Sequence, residues 1–117
     1  MPYMLMMIEP NGQRATRTLE EGQAAYDSMV RFGEDLRARG LLIARESLQS
    51  PEHGARVEMR DGRARVMDGP FAEAKEMVGG FFLIGCETRE QAIEIAKTCP
   101  AAQWCTVEVR AVAPCYA

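Results

Sequence analysis

Residues 57–86 read VEMRDGRARVMDGPFAEAKEMVGGFFLIGC, and this stretch decides the fold. Asp61-Gly62 is a strong two-residue hairpin signal. Folding the chain there pairs Val57 with Val66 and Met59 with Ala64 on one face. The other face pairs Glu58 with Arg65, an opposite-charge cross-strand pair. The same register carries Asp68 onto the apolar face, beside Val66. Asp68-Gly69-Pro70-Phe71 then breaks the strand, and Ala72 to Glu76 reads as a polar connector or a single helical turn. Met77 to Cys86 is a further strand, apolar on both faces at Phe81, Phe82, Leu83 and Ile84. Gly79-Gly80 inside it marks a bulge or a close backbone approach.

Upstream, Tyr3 to Ile8 is apolar on both alternating faces, the pattern of a central strand covered on both sides, and Pro10, Asn11 and Gly12 end it. Thr18 with Glu21 makes a capping box, and Tyr26, Met29, Val30, Gly33 and Leu36 follow with helical spacing up to a stop at Gly40. Leu41 to Leu48 reads as a strand and Ser50 to Gly54 as a loop. Downstream, Thr88 with Gln91 caps a second helix, striped by Ala92, Ile95, Ala96 and Cys99 and stopped by Pro100. Thr106 to Val112 alternates as a half-covered last strand. The order is strand, helix, strand, inserted hairpin, strand, helix, strand. Without the insert, this is the βαββαβ pattern of an α+β, ferredoxin-like sandwich. Two helices cover only one face of its sheet, yet two of its strands are apolar on both. A second copy of the chain is the simplest cover, so a homodimer is expected.

The 117 residues make one domain, 1–117, with 47% hydrophobic and 26% charged residues, the profile of a soluble globular protein. Net charge is −3, and neither half is polarised: residues 1–58 hold 7 basic and 9 acidic groups. That argues against a nucleic-acid surface. Gly79-Gly80-Phe81-Phe82 faintly matches an RNA-recognition strand, but Val78 stands where a basic residue is wanted and the pI is about 5.2. The longest apolar run, Met4 to Ile8, falls far short of the ~20 residues of a membrane span. No signal peptide opens the chain, so a cytoplasmic protein is expected.

Cys86, Cys99, Cys105 and Cys115 show no C-x-x-C spacing, and His53 is the sole histidine. Reduced, partly buried thiols are expected, with no metal and no cofactor. Methionines 1, 4, 6, 7 and 29 read as adaptable core filler.

The residues that offer chemistry are few. Asp68 has two readings. On an apolar face its carboxylate would be desolvated and suited to acid–base work; alternatively it caps the turn that follows. A pocket at that turn would be lined by Asp68 and Phe71. Lys75 follows seven residues on as a partner, or else as a solvated charge between Glu73 and Glu76. Glu46 shares an alternating face with Leu42, Ala44 and Leu48, which would turn it inward as a second acid, unless the strand end is frayed. Tyr3, at the start of the first strand, would place a phenol at the strand end as part of a site, or serve as a half-buried aromatic. His53, flanked by Pro51, Glu52 and Gly54, reads as a surface loop residue.

The segment DGPFAEAKEMVGGFF resembles the signature of the DGPF family within the YciI-related superfamily. PYMLMMIE, RARGLLIARESL, RDGRARVMDGPF and CPAAQWCTVEVRAV are similar to it too, so the resemblance covers essentially the whole chain. It implies a ferredoxin-like subunit that pairs into a dimeric α+β barrel. Related barrels include cofactor-free monooxygenases, lactone isomerases and haem-dependent chlorite-degrading enzymes. YciI-type relatives have been assigned a His–Asp acid–base pair; His53, in a loop, does not match it, and the pair is not carried over. Two functions follow. The first is a dimeric small-ligand-binding or regulatory module with its pocket near Asp68-Gly69-Pro70-Phe71. The alternative is a cofactor-free enzyme of the proton-transfer, lyase or oxygenase type with Asp68 as acid or base.

Overall fold

The computed structural model describes residues 1–116; Ala117, the last residue of the expected 1–117 domain, lies outside the described residues. The chain runs β1 (Tyr3–Pro10), α1 (Leu19–Ala38), β2 (Leu42–Ser47), β3 (Ala55–Arg60), β4 (Arg63–Asp68), β5 (Glu76–Ile84), α2 (Arg89–Lys97) and β6 (Thr106–Ala111). Single 3-10 turns sit at Gln13–Thr16, Pro51–His53 and Pro100–Gln103. Four strands form an antiparallel sheet in the order β2-β5-β1-β6. This α+β arrangement is compatible with a ferredoxin-like fold.

Both helices start on capping boxes, Thr18 with Glu21 and Thr88 with Gln91. Each box satisfies two backbone N–H groups that the first helical turn leaves free. The Glu21 carboxyl is held below its usual range chiefly by its hydrogen bond to the Thr18 backbone. Both helices pack on one face of the sheet. Their core joins Tyr3, Leu5 and Met7 of β1 to Phe82 and Ile84 of β5, Phe32 and Leu36 of α1, and Ala92, Ile95 and Ala96 of α2. Leu5, Leu36 and Ile84 are fully buried, and Phe32 meets Phe82 edge to face at 5.1 Å.

β1 runs two residues further than expected, to Pro10. β6 begins at Thr106, opposite Ile8, and pairs with nothing beyond it, so the missing N–H of Pro10 breaks no ladder on that side. The ladder between β1 and β5 shifts between Met7 and Ile8, which pair with Gly80 and Val78. Gly79 is the extra residue of that bulge.

The hairpin is as read. Asp61 and Gly62 both take positive φ, 51° and 75°, as a type I′ turn requires. Val57 pairs with Val66, Met59 with Ala64, and Glu58 with Arg65. The hairpin forms its own two-stranded ribbon and covers nothing: Val57, Met59 and Val66 are all more than 60% exposed. Among the described residues no layer covers the other sheet face, with Met4, Met6, Ile8, Phe81 and Leu83. The molecule is accordingly flat, 47 × 42 × 19 Å. Its radius of gyration is 16.0 Å, against about 13 Å for a compact chain of this length.

Candidate functional site

Glu9 is the one buried charged side chain among the described residues, 6% exposed. It continues the alternation of Tyr3, Leu5 and Met7 and so points to the helix side. A carboxylate there must be paired. Arg14, from the 3-10 turn after β1, pairs with it twice, Nε to Oε1 at 3.0 Å and Nη2 to Oε2 at 2.8 Å. The same guanidinium donates to the carbonyls of Leu48 and Gly79, at 2.7 and 3.2 Å. One arginine thereby ties together the ends of β1, β2 and β5. The bulge makes room for this, since a Cβ on Gly79 would collide with Glu9 Oε2.

Above the pair, the N-terminal half of α1 stands off the sheet and leaves a cleft of ≈ 1320 Å³. Met7, Met29 and Phe82 give it apolar surface, Glu9 and Arg14 a polar end, and Leu19 and Tyr26 of α1 an exposed apolar flank. Trp104 lines it too, with the Arg17 guanidinium 5.6 Å from its ring and Gln13 Nε2 donating to its carbonyl at 2.7 Å. Arg45 passes across Gly33, donates to the Val30 carbonyl at 3.0 Å and pairs with Glu34 at 2.8 Å. A pocket with apolar surface and a few fixed polar groups is the usual form of a small-molecule site.

Of the five residues expected at a pocket, only Glu46 borders this cleft, at its β2 edge and not by a side chain turned into it. Its expected face is corrected. The ladder shifts between Leu42 and Ala44, so Leu42 pairs with Ile84 while Ala44 and Glu46 pair with Leu83 and Phe81. The irregularity breaks the alternation, and Glu46 is exposed on the uncovered face, opposite to Leu42. Tyr3 is a core residue, 8% exposed. Asp68 does share a face with Val66, opposite Ala55, but that face is itself in solvent and Asp68 is exposed. Lys75 is exposed and makes no ion pair with Asp68 among the described residues. Phe71 packs under Arg56, whose guanidinium is 4.1 Å from the ring, and its carbonyl accepts from Asn11 Nδ2 at 3.1 Å. Asn11 also holds the Ala74 and Lys75 carbonyls. The Asp68–Phe71 turn is therefore docked on the end of β1 rather than wrapped around a pocket. Gly69 is needed there, because a Cβ would run into the Pro51 carbonyl. His53 is exposed.

Sequence reasoning missed Glu9 and Arg14. A signal was present: the strand's alternation, which sets Tyr3, Leu5 and Met7 on one face, carries on to Glu9. Arg14 and Trp104 had no such signal, since both come from irregular turns.

Neither Cys99 nor Cys105 is an activated thiol. Burial pushes Cys99 up, and burial followed by the negative charge of Glu9 pushes Cys105 up to about 11. Both stay protonated near neutrality, which makes them poor nucleophiles. Among the described residues no three His, Cys, Asp or Glu side chains converge as a metal site, and no helix is long and apolar enough to cross a membrane.

An uncharacterized protein of Rhizobium meliloti (strain 1021) is 33% identical over 85 residues, 73% of this chain. The chain spans 60% of that relative's length. The profile of the YCII-related domain matches residues 1–115, and the chain belongs to the YCII-related domain family.

Proposed function

We propose that the chain is a single-domain subunit of a homodimer that binds a small molecule in the cleft between α1 and the ends of β1, β2 and β5. The observation that carries the binding role is the cleft itself: apolar surface beside one fixed ion pair. This moves the expected pocket from the Asp68 turn to Glu9 and Arg14. The alternative, acid–base catalysis by Asp68, loses its support, because the face that was to desolvate the carboxylate lies in solvent.

The homodimer rests on the bare sheet face. Accessible surface is 8196 Å², against about 6,300 Å² for a compact monomer of 13.0 kDa. The excess, roughly 1,900 Å², is within what one protomer contributes to an obligate interface. Sheet-to-sheet packing of two copies would close a dimeric α+β barrel and cover Met4, Met6, Ile8, Phe81 and Leu83.

Trp104 is the only tryptophan, so its fluorescence reports cleft occupancy. Native mass spectrometry should show a dimer, and a screen of metabolite-sized compounds should find ligands that change Trp104 emission. Tyr26→Glu, at the exposed flank of the cleft, should weaken those ligands at least tenfold without loss of helix content. Ligands indifferent to Tyr26→Glu would remove the cleft as the site, and a monomer at micromolar concentration would remove the dimer.

A further inference from the structure

Three sulfur atoms from three separate elements meet below the cleft. Cys99, between α2 and the turn at Pro100–Gln103, places its Sγ 4.0 Å from Met7 Sδ of β1 and 3.9 Å from Met29 Sδ of α1. Cys99 and Met7 are 2% and 5% exposed. Met7 and Met29 line the cleft, so the cluster has a path to solvent. With metal–sulfur bonds of about 2.3 Å, as thiolates make with zinc, sulfurs set trigonally around one ion stand about 4 Å apart. Cys99 is already at that spacing from both thioethers.

We propose that Cys99, Met7 and Met29 form a binding site for a soft monovalent metal ion of the Cu(I) or Ag(I) class. Softness follows from the donors, one thiol and two thioethers. Charge follows from the burial. One thiolate and two neutral thioethers around a singly charged cation make a neutral unit, whereas a divalent ion would leave a net positive charge unpaired in the core. On binding, the Cys99 thiol releases its proton to solvent as the metal–sulfur bond forms. Each thioether donates a lone pair, the ion sheds its previous ligands, and no electron is transferred. Five methionines were read from sequence as filler; the fold sets two of them beside a cysteine. The assignment does not depend on which small molecule the cleft takes.

The test uses the full chain with the exposed thiol removed, Cys115→Ser, titrated anaerobically with Cu(I) presented as its bicinchoninate complex. We expect one Cu(I) per chain, withheld from the chelator. Met7→Leu with Met29→Leu keeps the packing volume and should weaken binding at least tenfold, while the melting temperature shows that the variant folds. Cys99→Ser should lose the site, and Cys105→Ser should keep it. X-ray absorption should show a shell of three sulfurs. No binding, or binding unchanged in the double leucine variant, would mean that the sulfurs are packed together and nothing more. Loss with Cys105→Ser alone, the methionines being dispensable, would also overturn the assignment.

Discussion

The two faces of the four-stranded sheet are made by alternate residues of the same strands, yet they meet different fates. Tyr3, Leu5, Met7, Phe82 and Ile84 face the helices and are buried. Met4, Met6, Ile8, Phe81 and Leu83 face away and are only partly covered, by one another. Alternation in a strand decides that neighbours point apart; it does not supply anything for them to point at. The described residues form two α-helices, and both went to one side. If a second copy covers the bare side, as proposed, its apolar residues are completed from outside the chain, whereas those on the covered side are satisfied within it.

The covered face should show the largest effect. Leu5→Ala removes a fully buried side chain and should cost about 2–5 kcal/mol in urea unfolding; a loss under ~1 kcal/mol would show that this face is not the core. Met6→Lys puts a charge on the bare face. If a second copy covers it, sedimentation should show the dimer weakened by ~100-fold or more, about 2.7 kcal/mol, with secondary structure unchanged. A variant that associates as wild type does would return that face to solvent. Glu9→Gln keeps the shape but turns a charged bidentate contact into a neutral one; a stability loss of about 1–3 kcal/mol is expected, smaller when Arg14→Gln is already present.

Cys105 adds a pH dependence. The folded protein keeps its thiol protonated up to about 11, while an unfolded chain ionises near the ordinary ~8.5. The unfolded state binds fewer protons between those limits, so stability falls as pH rises through them. Melting temperatures across that window should fall less steeply for Cys105→Ala than for the wild type; parallel curves would show that the thiol is not held protonated. Asp68→Asn should do least, within ~0.5 kcal/mol and with no change in cleft ligand affinity, because Asp68 stands in solvent on the hairpin arm. A larger loss of either kind would restore the Asp68 turn as a site.

The local interactions were legible from residues alone. Capping boxes at Thr18 and Thr88, the Asp61-Gly62 turn with its register, and the bulge at Gly79 each depend on residues close in the chain, whose preferences act whatever surrounds them. The two-sided apolar character of β1 and β5 was legible for the same reason. Tertiary structure decided the rest. Asp68 kept the expected face, but only the position of the whole hairpin, standing clear of the sheet, determined that this face is wet. Glu46 turned the other way because one irregularity at Ile43 inverted the alternation beyond it. Glu9 met Arg14 because β5 gives up a Cβ at Gly79, 65 residues from that arginine. Met7, Met29 and Cys99 came together from a strand, a helix and the link that follows α2, up to 92 residues apart. Sequence patterns report the direction in which a side chain leaves its own backbone; what it meets there is set by packing between elements, to which no local preference refers.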